Sequence, residues 1–199
     1  MEQRTLDNTQ LLVSRACLGT MTFGSQTDEA TAAAMVDCAM DAGVNFFDTA
    51  EAYSRGSSEA ILGKVLGRRR RDVILGSKVG GAPVGAVTAG RLSRTSITSG
   101  LEASLRRLQT DYLDLYYLHV PDDSVPLEET LETMDELVRQ GKVRYPAASN
   151  YASWQICRMH WLAEKNGYTP VTVTQAMFSL LARGIEQEYL PMCRQLGVA

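Results

Sequence analysis

The sequence predicts an α/β fold, an incomplete (β/α)8 TIM barrel of about six β/α units with a short N-terminal hairpin. Three observations carry this. Short apolar, β-branched runs alternate with longer stretches of helical period along the whole chain. The G-x-G-x-x-G turn of a doubly wound dinucleotide fold is missing, because the turn after the first strand reads Gly19-Thr20-Met21-Thr22-Phe23-Gly24. Polar residues end the second to sixth strands, where a barrel gathers its chemistry. A phosphate loop is excluded as well, since Gly63-Lys64 is followed by Val65 and its earlier glycine is replaced by Ser58.

After a turn signal at Asp7-Asn8, the first unit pairs Ala16–Thr20 with a helix from Asp28, on which Ala32, Met35, Val36 and Ala39 recur at helical spacing before Gly43 ends it. Val44–Phe47 runs into Asp48, and Ser57 or Ser58 is expected to cap the next helix. Asp72–Ser77 leads into Lys78, a Gly-rich loop, and a helix carrying Ile97, Leu101, Leu105 and Leu108. Tyr112–Leu118 is apolar except for Asp114, as suits a strand covered on both faces, and it ends at His119. A helix with Leu127, Leu131, Met134 and Leu137 closes at Gly141; strand 142–149 and helix 153–167 follow. The sixth strand is 171–175, the last helix lies around 186–196, and Gly197-Val198-Ala199 reads as the turn into a seventh strand.

Composition narrows the function classes. With 45% apolar residues and a formal charge of -3 from interleaved acids and bases, the chain offers no broad field for nucleic acid or an anionic membrane. The one dense basic patch, Arg68–Arg71, follows a helical pattern and is expected to complement that helix's C-terminal end. Cys17, Cys38, Cys157 and Cys193 lack metal or redox spacing and are expected to be buried small hydrophobes. No signal-peptide order or membrane-length apolar run occurs, so a cytoplasmic location is expected. No metal site is expected, and His160 is expected at the surface without a role.

The candidate catalytic residues are Asp48, Tyr53, Lys78 and His119. Singly, each has a structural explanation: a turn cap, a packing aromatic, an ion-paired lysine, a core histidine. Together they match carbonyl reduction, in which hydride delivery builds negative charge on oxygen and calls for a proton donor and an electrophilic partner there. Tyr53 can donate the proton, a Lys78 ammonium beside it would make the phenol a better acid, and Asp48 would hold that lysine charged and placed. His119 can orient the carbonyl or share the proton.

These stretches resemble the aldo-keto reductase family: Leu18–Gly24, Asn45–Tyr53, Ser58-Glu59, Leu62-Gly63, Gly76–Gly80, Asp114–His119, Gly141–Tyr145, Ser149-Asn150 and Gln175. The resemblance implies an eight-stranded barrel, an NADPH-dependent oxidoreductase acting on a small-molecule carbonyl substrate, and Asp48, Tyr53, Lys78 and His119 as its tetrad with Tyr53 as proton donor. It assigns Ser149, Asn150 and Gln175 to the nicotinamide carboxamide, with Gly19, Thr20, Met21 and Asp48 also at the cofactor. Helix capping and buried-amide roles remain open for Ser149, Asn150 and Gln175, as do core roles for Phe23, Met21 and Trp154 beside the substrate pocket.

Two departures stand out: Pro146 removes a donor from an interior strand, and Arg55 stands where the family tends to have glycine. At 199 residues the chain falls short of the roughly 250 of a complete barrel. The expectation is one domain, 1–199, that lacks strands seven and eight and with them the groups that stack on the nicotinamide and grip the pyrophosphate. The expectations that follow are weak or no NADPH binding by the isolated chain and a liability to self-association through open first and sixth strands. A non-catalytic cofactor-sensing subunit, like channel β-subunits of the same fold, and an inactive truncated fragment are the alternatives.

Overall fold

The computed structural model describes residues 1–81 and 89–199. A hairpin of β1 (Gln3–Thr5) and β2 (Leu12–Ser14) opens the chain. Six parallel strands follow in chain order and curl into an open half-barrel: β3 (Cys17–Gly19), β4 (Phe46–Asp48), β5 (Ile74–Val79), β6 (Leu113–Leu118), β7 (Val143–Ser149) and β8 (Val173–Gln175). Helices α1 (Glu29–Asp41), α2 (Ser57–Leu66), α3 (Arg94–Leu108), α4 (Leu127–Arg139), α5 (Ser153–Asn166) and α6 (Tyr189–Leu196) follow β3 to β8 in turn. After α6 the chain returns to the sheet edge, where Ala199 donates to Thr172 O at 2.9 Å and accepts from Thr174 N at 2.7 Å.

Period-two alternation sorts the strands into two cores. Phe46, Ile74, Leu115, Tyr117, Tyr145, Ala147 and Val173 face the barrel axis, and the hairpin's Leu11 and Val13 pack against this set. Phe47, Leu75, Tyr116, Leu118 and Ala148 face outward into the helix layer with Leu62, Leu101, Leu131, Met134 and Ile156. Burying these side chains, each worth about 1.5–3 kcal/mol, is what holds the helices to the sheet. Where α2 crosses α3, a Cβ on Gly63 would lie 2.6 Å from Arg107 O, so only glycine allows that approach.

Several expectations are corrected. Ser58 does not cap α2; Gly56 at φ 89° occupies that place, and the Ser58 hydroxyl is buried against Thr20 and Thr49. Cys17, Cys38 and Cys157 are exposed, and only Cys193 is buried. His160 is half-buried, its Nε2 2.9 Å from Val171 O. Of the four arginines, only Arg69 reaches a helix-end carbonyl, Val65 O at 2.9 Å. Pro146 remains within β7 in register with Tyr116, and its carbonyl still accepts from Thr172 N at 3.0 Å. The predicted Gly-rich loop after Lys78 falls partly on 82–88, outside the described residues.

Candidate active site

Asp48, Lys78, Ser149 and Gln175 stand at the C-terminal ends of their strands in the same register as the inward core residues, and His119 continues the inward register of Leu115 and Tyr117. Alternation alone therefore brings them to one mouth. Tyr53 arrives from the loop after β4, in a 3-10 turn, Tyr53–Gly56, where Ser54 (φ 48°) and Arg55 (φ 54°) are both left-handed. Gly76 leaves room for this assembly, since a Cβ there would lie 3.0 Å from the Tyr117 ring.

Lys78 is the centre of the cluster. It is 0% exposed, and Nζ donates to Asp48 Oδ2, to Thr49 O at 2.9 Å and to the Tyr53 hydroxyl at 3.1 Å. The same ammonium lies 4.8 Å from the Tyr53 ring centroid and 5.8 Å from that of Tyr117. The Tyr53 and His119 rings meet edge to face at 5.8 Å. The structure thus brings together the four residues expected from the sequence.

Burial pushes the Asp48 carboxyl above the ordinary range, opposed by the Lys78 charge. His119 is pushed down to about 4, first by burial and then by Lys78, so its imidazole is neutral at neutral pH. Asp48 Oδ1 and His119 Nδ1 are buried atoms without a hydrogen-bond partner among the described residues.

Around the tetrad, Gly19 has open space beside it, and Ser149 is buried with its Oγ accepting from Asn150 Nδ2 at 3.0 Å. Asn150 caps no helix; at φ 63° it also donates to His119 O at 2.9 Å and so ties β7 to the end of β6. Gln175 is exposed, and its amide joins Lys78 in opposing the burial-driven rise of the Asp48 pKa. Thr20 is fully buried with its hydroxyl spent on Asp48 O and Ser58, while Met21 is 64% exposed. Phe23 is core, and Trp154 lines a separate cavity of about 310 Å³ beside Pro121 and Tyr151. Sequence reasoning missed Ser58, whose hydroxyl locks Thr20 to Thr49 behind the tetrad; serine at a helix start signals a cap and conceals this role.

Among the described residues, no group of three or more His, Cys, Asp or Glu could hold a metal ion, and no helix is long and apolar enough to cross a membrane.

The parallel β/α half-barrel therefore carries at its mouth a buried lysine shared by a carboxylate and a phenol, beside an imidazole. The chain belongs to the aldo/keto reductase family, whose model matches residues 15–199. It is 42% identical to the uncharacterized oxidoreductase YrpG of Bacillus subtilis, over 100% of this chain and 64% of that protein. It is also 36% identical to a probable voltage-gated potassium channel subunit beta of Arabidopsis thaliana, over 100% of this chain and 62% of that protein. Identity is 38% to aflatoxin B1 aldehyde reductase member 4 of Homo sapiens, over 91% of this chain and 54% of the relative. The chain spans between half and two thirds of the length of these relatives.

Proposed function

We propose that this protein reduces a small aldehyde or ketone to the alcohol with NADPH, Tyr53 acting as proton donor. One observation carries the reading: a fully buried ammonium, Lys78 Nζ, held by Asp48 and hydrogen-bonded to the Tyr53 hydroxyl. The relative named an aldehyde reductase supports the reaction class.

The residues present fit a nicotinamide. The mouth holds two unpartnered buried polar atoms, Asp48 Oδ1 and His119 Nδ1, and a carboxamide offers two donors and an acceptor to such a lining. Ser149, Asn150 and Gln175 would hold that carboxamide, with Asn150 offering its Oδ1 because its Nδ2 is already spent. Gly19, Thr20 and Met21 would flank it through backbone and open space. When bound, the nicotinamide supplies the hydride that the carbonyl carbon accepts.

The chain's own residues deal with the oxygen. Tyr53 donates its proton to the carbonyl oxygen as negative charge builds there. Lys78 stabilises the phenolate left behind, at a hydrogen-bond distance of 3.1 Å. Asp48 keeps the ammonium charged and aimed, and Thr49 O fixes its third direction. His119, neutral in the working range, orients the substrate oxygen through an imidazole N–H and leaves proton delivery to Tyr53.

The test is NADPH consumption by the chain against a panel of small aldehydes and ketones, for wild type and Tyr53→Phe. With cofactor raised high enough to offset the weak binding expected of this chain, the reading expects turnover in wild type and a loss of about 100-fold or more in the variant, with NADPH affinity, followed by cofactor fluorescence, the same in both. Equal turnover in both would remove it. A second reading, a cofactor-sensing subunit, is favoured by the channel-subunit relative; NADPH binding with no turnover on any carbonyl would support that instead.

A further inference from the structure

The run Arg68-Arg69-Arg70-Arg71 divides its charges in a way no helix-end role explains. Arg69 pairs with Asp37 at 2.6 Å and donates to Val65 O, which accounts for one of the four. Arg70 turns inward: it is 6% exposed and donates to Val73 O, Tyr112 O and Asp114 Oδ2 at 3.0–3.1 Å. Its Nε has no hydrogen-bond partner among the described residues, and its guanidinium lies 4.3 Å from the Tyr112 ring centroid. Arg68 and Arg71 remain exposed and make no ion pair among the described residues.

The backbone sets Arg68 and Arg71 together. They lie in a 3-10 turn, Gly67–Asp72, in which residues three apart eclipse, so two uncompensated guanidiniums project side by side. Both border a cavity of about 480 Å³ that Arg70, Thr110, Asp111 and Tyr112 also line. It opens just before β5 and β6 begin, at the end of the barrel opposite the tetrad. The charge is unbalanced beneath it too, because Asp114, 1% exposed, is shared by Arg70 at 3.0 Å and Arg144 at 2.9 Å. Asp111 is the single carboxylate on the cavity wall among the described residues.

We propose that this cavity is an oxyanion site that takes a phosphate group, free or as the monoester of a small metabolite. A guanidinium presents a planar fork that binds two phosphate oxygens at once, and an anion between Arg68 and Arg71 relieves their mutual repulsion. Thr110 lies on the same wall. The volume exceeds what a bare phosphate fills and leaves room for the body of an ester. Asp114 also accepts from Leu75 N at 2.9 Å, so the site ties together the starts of β5 and β6, the strands that lead to Lys78 and His119 at their far ends. Occupancy is therefore expected to stabilise the barrel through ligand linkage.

The experiment titrates the 199-residue chain with inorganic phosphate and, in a second arm, with glycerol 3-phosphate, at fixed ionic strength set with chloride. Thermal midpoints and isothermal titration heats are recorded for wild type, for R68A/R71A, and for R4A/R158A, which removes the same charge from two exposed arginines elsewhere. The site predicts saturable binding, with a midpoint rise of about 3 °C or more, in wild type and in R4A/R158A. In R68A/R71A the affinity falls at least tenfold. The arm that binds more tightly distinguishes free phosphate from a phosphate ester. Equal responses in all three proteins would reduce the effect to general salt stabilisation, and the absence of saturable binding of either probe to wild type would likewise overturn the site.

Discussion

Lys78 Nζ is shared by the Asp48 carboxylate and the Tyr53 hydroxyl, so one buried cation fixes two groups carried by separate segments. Removing it leaves Asp48, 7% exposed, with its main counter-charge gone. Lys78→Met is expected to destabilise the fold by about 3–5 kcal/mol at neutral pH, and the D48N/K78M pair to recover most of that, because the penalty lies in the orphaned charge. Below the ordinary carboxylate value of about 3.9 the single variant's deficit shrinks, as Asp48 is then protonated in folded and unfolded chains alike. Urea unfolding of the four-member cycle measures this; a double variant as unstable as K78M would contradict it.

His119 gives the fold a specific acid sensitivity. Its folded pKa is depressed from 6.5 to about 4, so between those values the unfolded chain binds the proton and the folded chain does not. Stability from this residue is complete above the unfolded value and is lost as pH falls through the window toward 4. Partial exposure reduces the worth of the shift to about 2 kcal/mol or less. His119→Gln is expected to flatten the pH dependence of the urea midpoint across that window, and an unchanged slope in the variant would place the sensitivity elsewhere.

The site was legible where period two governs it. Asp48, Lys78, His119, Ser149 and Gln175 could be placed at one mouth because each extends the inward register of an apolar strand, and strand register survives the two-residue shortening seen in β3 and β8. Local side-chain bonding was not legible. Ser58 carries the signature of a cap and instead forms a buried hydroxyl cluster, because Gly56 in the left-handed region already turns the chain into α2. The sequence leaves helix capping open for Asn150, whose amide instead donates to His119 O and ties β7 to the end of β6. Arg70 differs from Arg69 and Arg71 only by its position in a 3-10 turn, a period that a run of identical residues cannot display. Cys17 lies inward on the edge strand β3, where the open side leaves it exposed, so composition alone misjudged its burial.

Arg55 adopts φ 54° in the turn that carries Tyr53, next to Ser54 at φ 48°. An L-residue in this region pays about 1–2 kcal/mol in steric strain, part of which glycine returns as greater freedom of the unfolded chain. Arg55→Gly is therefore expected to stabilise the fold by about 0.5–1 kcal/mol. Arg55→Ala, which keeps the strain, should stay within about 0.5 kcal/mol of wild type. Thermal or urea unfolding of both variants decides, and a destabilised glycine variant would mean that the turn is held by Arg55 contacts and not merely tolerated.

Ser58 joins three backbone and side-chain groups behind the tetrad. Its hydroxyl lies 2.8 Å from Thr20 Oγ1 and 3.0 Å from Thr49 Oγ1, and it donates to Thr20 O at 2.7 Å, all at positions with 0% exposure. Ser58→Ala deletes those bonds and leaves Thr49 Oγ1 without a partner among the described residues, a buried polar group that water cannot reach. The expected cost is about 1–3 kcal/mol in urea unfolding. Ser58→Cys keeps a donor, though a weaker and bulkier one, and should fall between alanine and wild type. Thr49 also presents its carbonyl to Lys78 Nζ at 2.9 Å, so loosening the Thr49 segment reaches the ammonium through the backbone. A Ser58→Ala variant within about 0.5 kcal/mol of wild type would show that the cluster contributes shape and no net hydrogen-bond energy.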